Sequence, residues 1–248
     1  TRSIDPLAGP APVQPEAGNA NAIIRIPVPP DASIMCNDTR ELKICLLNSK
    51  QSVDRWGSLA GDDLPQCSLR LRHVCLPPGC HAVVPPPRPL RMLAFGDSIV
   101  EGIGAFVENR VRSDLVSNIG STTFVSSLAE RLGAEFGAVG YGRQSWTISG
   151  NGNVPKFFHV SNAEAEGSWD HLWAGQKRIL DGESSPDIIL VNQGANEGLL
   201  PHLAGDPNEL RQSICTWLNR VRSVVGPRTH MVLLVPFAYL GVCGWLLH

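Results

Sequence analysis

Leu90-Arg91-Met92-Leu93-Ala94-Phe95-Gly96-Asp97-Ser98-Ile99-Val100-Glu101-Gly102 is the stretch that decides the fold. Leu90 to Phe95 reads as an apolar strand, and a turn of glycine and small polar residues follows it directly. Downstream the hydrophobic period alternates. Thr122 to Leu132 carries Phe124, Val125, Leu128 and Leu132 at helical spacing, and Ala134 to Val139 reads as a short strand. Asp187 to Asn192 is a third strand and again buried, Asn208 to Val225 an amphipathic helix, and His230 to Val235 a fourth strand. Strands alternating with helices predict an α/β domain with a parallel, doubly wound sheet. Such sheets bind ligands at the carboxyl ends of their strands, so the residues just past each strand carry the functional information.

Upstream, the pattern has period two: Ile24 and Ile26, then Leu42, Ile44 and Leu46, then Leu69 and Leu71. This predicts half-buried antiparallel strands in a small β-sandwich or jelly roll over residues 21–84, after a flexible lead over 1–20. The Pro85-Pro86-Pro87-Arg88-Pro89 linker is stiff and extended, and places a domain boundary before residues 90–248.

At 248 residues and 43% hydrophobic, the chain can bury one substantial core and a second small one. A net charge of −2 and a pI near 6.4 provide no basic field for phosphates, which argues against nucleic acid as a partner. Cysteines number seven, and only Cys75 and Cys80 lie close together, with no second pair at zinc-ligand spacing. No metal and no cofactor is implied. The opening residues contain no apolar signal-peptide core. Residues 231–247 are mostly apolar but short for a membrane span and broken by Pro236, Gly241 and Gly244, so a buried strand with an irregular tail is the expectation.

Three strand ends carry chemistry. Gly96-Asp97-Ser98 places a hydroxyl at the mouth of the sheet, a weak nucleophile that needs a base and a site for the developing oxyanion. Read alone, Ser98 is more simply a helix N-cap with Asp97 helping the turn. Gly140-Tyr141-Gly142-Arg143 offers backbone N–H groups that can approach a substrate oxygen, or an ordinary glycine turn. Gly194-Ala195-Asn196-Glu197 offers an asparagine amide, or a loop cap.

Together and in this order, the three blocks resemble the SGNH (GDSL-type) hydrolase family over roughly residues 90–240. The resemblance implies a flavodoxin-like three-layer fold and an esterase. In it Ser98 is the nucleophile and an oxyanion donor, Gly142 a backbone donor with Gly140 the fallback, and Asn196 a side-chain donor. Glu197 stands where the family has aspartate, an expected minor departure. A preceding β-module is similar to the arrangement of family-two carbohydrate esterases, which implies a small-molecule or saccharide ester as substrate. Tyr141, Trp146, Trp169 and Trp173 are then candidates for a sugar platform, against the plainer reading of core packing.

The family's late Asp-x-x-His block is absent: no aspartate here has a histidine three residues later. His159, His171 and His202 lie in the middle connections, His230 precedes a strand and His248 is the last residue. The expectation is a chain cut short before its base, impaired in turnover and exposing an apolar sheet edge. The alternative readings are a non-catalytic carbohydrate-binding descendant and a membrane anchor over residues 231–247.

Overall fold

The computed structural model describes residues 50–57, 67–68, 74–76, 78–105, 118–162 and 164–235, all within one compact unit, Ile44–His248. The expected strands through Ile24, Leu42 and Leu69, and the apolar run from Pro236 onward, lie outside the described residues.

Four parallel strands form the main sheet: β1 (Leu90–Gly96), β2 (Ala134–Gly140), β5 (Ile188–Asn192) and β6 (His230–Leu233), in the order β2-β1-β5-β6. Each falls where the apolar runs place it. β1 is central, with Gly96 level with Gly140 on one side and with Asn192 on the other. The chain leaves β1 to one side and returns on the other, so the topological switch point lies between the ends of β1 and β5. A small antiparallel hairpin, β3 (His171–Trp173) with β4 (Gln176–Lys177), was not legible from periodicity.

Alternation along the strands divides the side chains into two cores. Phe95, Ile189 and Val191 face Ile214, Trp217 and Val221 of α4 (Pro207–Val225). Ala94 and Leu190 face the other way, onto Val100 and onto Val125 of α2 (Phe124–Arg131). Layers of helix, sheet and helix result, as expected. Helix α4 starts where Asp206 caps it, accepting the Asn208 N–H at 2.9 Å with Pro207 behind it, and it stops at Gly226. Trp217, fully buried, centres an aromatic cluster with Phe95, Trp146, Phe157 and Trp169. β6 is the outer strand among the described residues, and Val232 and Leu233 on it are about two-fifths exposed. Among the described helices none is long and apolar enough to cross a membrane.

Candidate active site

Ser98 opens the single-turn helix α1 (Ser98–Glu101) directly after β1. Asp97 caps this helix: its Oδ1 accepts the Ile99 N–H at 2.9 Å. The capping role therefore belongs to Asp97, and the Ser98 hydroxyl is spared it. Gly102 ends the helix at φ +83°, and its N–H donates to Ser98 O at 3.0 Å. Gly96 is needed at the other end because a Cβ there would overlap the Val100 side chain. Two glycines thus fix the turn, and Ser98 sits half-buried at the carboxyl edge of the sheet.

Asp97 is 1% exposed, and burial pushes its carboxyl up to about 6. The Ile99 N–H works against that rise, while the negative charge of Glu197 adds to it.

Gly142 lies in the turn after β2. Its N–H donates to Glu101 Oε2 at 2.5 Å. The other oxygen of Glu101 accepts from Arg55 Nη1 at 2.5 Å and Gln51 Nε2 at 2.6 Å. Gly140, the fallback position, closes β2 where a Cβ would stand 2.9 Å from Glu101 Cα, so its smallness serves packing against α1. Asn196 is buried in α3 (Ala195–Leu199), and its Nδ2 donates to Gln144 O at 3.0 Å. The two amides expected to face an oxyanion therefore each have an acceptor inside the protein. A side-chain amide carries a second hydrogen, whereas a backbone N–H has only one.

Glu197 does more than the expected minor substitution. It is 3% exposed and accepts from Ser145 Oγ, from the Thr147 N–H at 3.0 Å and from Thr147 Oγ1 at 3.2 Å. Gln144 beside it is a second hub. Its Oε1 accepts from Ser168 Oγ at 2.9 Å and Gln193 Nε2 at 3.3 Å, and its Nε2 donates to Pro155 O at 2.6 Å. These bonds tie the loops after β2 and β5 into one floor.

The histidines are placed as follows. His171 has Nδ1 at 2.8 Å from Asp170 and Nε2 at 4.0 Å from Glu166, so both ring nitrogens face carboxylates. His230 opens β6, at the amino edge of a parallel sheet whose carboxyl edge carries Ser98. Burial, reinforced by Lys156, holds His159 below the usual imidazole range. Trp146 and Trp169 are buried in the aromatic cluster, which favours packing over a sugar platform for both. Tyr141 packs against the same core, with the Arg55 guanidinium 5.1 Å above its ring. An open groove of about 410 Å³ runs beside this floor, lined by Arg143, Ser149, Asn151, Asn153 and Pro155 among others.

Sequence reasoning missed Gln51, Arg55, Glu101 and Gln144. Only Glu101 left a signal, standing three residues after Ser98 and so on the same helix face.

No curated protein matches the chain. Among solved structures it is similar to a family two carbohydrate esterase from Cellvibrio japonicus, with a TM-score of 0.51 and 17% identity over 66% of this chain and 47% of that one. It is also similar to a family two carbohydrate esterase from Clostridium thermocellum in complex with cellohexaose, with a TM-score of 0.50 and 16% identity over 67% of this chain and 50% of that one. The chain spans about half the length of these structures, and likeness at this identity shows the fold. The model of GDSL-like lipases and acylhydrolases matches residues 92–227, which is more than half of the 248 and includes every block that carries the site. On that match, the chain belongs to the GDSL-like lipase/acylhydrolase family.

Proposed function

We propose that this protein is a serine esterase that works through an acyl-enzyme on Ser98. Ser98 Oγ attacks the acyl carbon, its proton passes to a general base, the alcohol leaves, and water releases the acid. The observation that carries the reading is the position of Ser98: at the switch point of the sheet, on a turn fixed by Gly96 and Gly102, with Asp97 doing the capping. The Ser98 N–H and the second amide hydrogen of Asn196 are the oxyanion donors. Gly142 stands at the position expected of a third donor; because its single N–H is committed to Glu101, we assign Gly142 to holding the loop. The division into a lead over 1–20, a β-module over 21–84, a linker over 85–89 and a hydrolase domain from 90 belongs to the same proposal.

For the substrate we propose an acetylated saccharide. The likeness to a family two carbohydrate esterase that holds cellohexaose supports this class. The test is acetate release from acetylated cello-oligosaccharides and from p-nitrophenyl acetate, by the 248 residues and by a form extended through the downstream coding sequence, each with Ser98→Ala. Ser98-dependent release by the 248 residues identifies a base within them, and release only by the longer form assigns the base downstream. Ser98-independent release by both overturns the reading.

One observation favours a second reading, in which the cleft binds saccharide without turnover: Gly142 and Asn196 both spend hydrogens on internal acceptors. Cello-oligosaccharide binding by both forms, unchanged in Ser98→Ala and without acetate release, would establish it.

A further inference from the structure

Ser98 and Glu101 stand three residues apart on α1 and share a face, so whatever the Glu101 carboxylate grips is held at a set distance from the nucleophile. Both of its oxygens are used: Oε1 by Arg55 and Gln51, Oε2 by the Gly142 N–H. The Arg55 and Glu101 side chains are only 3% and 13% exposed. Arg55 also reaches the far end of the same loop. Its Nη2 and Nε donate to Asn151 O at 3.1 and 3.4 Å, and its own N–H donates to Gly152 O at 2.9 Å. Glu101 and Arg55 together thereby tie α1 to both ends of the segment from Gly142 to Gly152, Glu101 at Gly142 and Arg55 at Asn151 and Gly152. Two residues beyond Gly142, Gln144 O receives the Asn196 amide.

From this chain of contacts we infer that Arg55 and Glu101 are positioning residues of the esterase site. They set the Gly142 turn, and through Gln144 the aim of Asn196, relative to Ser98. The inference rests on the Ser98 chemistry proposed above. It makes residues 50–57, read from sequence as part of a separate module, a working part of the hydrolase. A misplacement of about 1 Å in a reacting geometry costs on the order of a hundredfold in rate, so such a clamp acts on turnover and not only on stability.

The test measures two quantities on the folded full chain, in the form that shows Ser98-dependent turnover. They are kcat and KM for p-nitrophenyl acetate, and amide hydrogen exchange of the peptide containing Gly142. The variants are Arg55→Ala, Glu101→Ala, their double, Arg55→Lys and Glu101→Gln. Each alanine variant is expected to lower kcat by about ten- to a hundredfold with KM nearly unchanged. The double should be no worse than the poorer single, and the conservative variants should fall between. Across the series, kcat should fall as exchange at Gly142 accelerates. If an alanine variant does not fold, Arg55→Lys and Glu101→Gln carry the same comparison. Faster Gly142 exchange with kcat unchanged overturns the inference, as does exchange that stays at the wild-type rate. If Ser98→Ala retains full turnover, or no form turns over, the Ser98 reading fails on its own account. The exchange arm then still decides whether Glu101 holds the loop.

Discussion

Glu197→Ala tests how the floor of the site is held. The carboxylate accepts from Ser145 Oγ, the Thr147 N–H and Thr147 Oγ1, and both of these residues lie in the interior. Removing it strands the Thr147 N–H, which cannot turn to another acceptor, and leaves two hydroxyls to rotate as best they can. Each buried donor left unpaired costs about 1–3 kcal/mol. Relief of the carboxylate's own desolvation returns part of that cost. We therefore expect a net loss of about 3 kcal/mol for Glu197→Ala, and about 1 kcal/mol for Glu197→Gln, whose amide oxygen still serves Thr147. Urea unfolding followed by tryptophan fluorescence is the assay, with Trp146 between the two released residues as reporter. The Asp97 carboxyl should also move down from about 6, since the charge of Glu197 helps raise it. A Glu197→Ala stability within about 0.5 kcal/mol of wild type would refute the reasoning and show that the buried charge costs as much as its bonds return.

Asp97→Asn separates the electrostatic role of the cap from its geometry. The folded pKa of about 6 lies above the ordinary aspartate value of 3.8, so the native state holds the proton more tightly. The wild type consequently loses stability as pH rises from 3.8 through 6, by up to about 3 kcal/mol. Asparagine does not titrate, so the variant should gain on the wild type across that window and hold the gain at pH 8, as urea midpoints at pH 3.5 and pH 8 would show. Gly96→Ala should cost about 1–3 kcal/mol, because its Cβ would overlap Val100 and stand 3.0 Å from Asn192 O. Adding Val100→Ala should recover part of that cost, giving a coupling that denaturant titration of the four proteins would reveal.

The strands Leu90 to Phe95 and Ile188 to Asn192 were legible as continuous apolar runs, and the helices α2 and α4 because Phe124 to Leu132 and Leu210 to Val225 repeat the helical period over several residues. The nucleophile turn was legible because its glycines and small polar residues are consecutive. What escaped the sequence depends on contacts between distant residues. Arg55 meets Glu101 across 46 positions, and no local pattern records such a pair. Gln144 becomes a hub only once the loops after β2 and β5 are brought together. Gly142 shows the same limit: sequence supplied a flexible residue with an N–H, and the fold decided that a carboxylate would receive it. Trp146 lies beside the glycine block in sequence and Trp169 before the third strand of the sheet, yet spacing could not say that both turn inward to Trp217.

The central claim is that Ser98 carries the acyl group. The most direct measurement is mass spectrometry of the Ser98-containing peptide after acid quench during p-nitrophenyl acetate turnover. The account predicts an acetyl group on Ser98, and its loss together with turnover in Ser98→Ala. Undiminished hydrolysis by Ser98→Ala, with no acetyl on the wild-type Ser98 peptide, would contradict it.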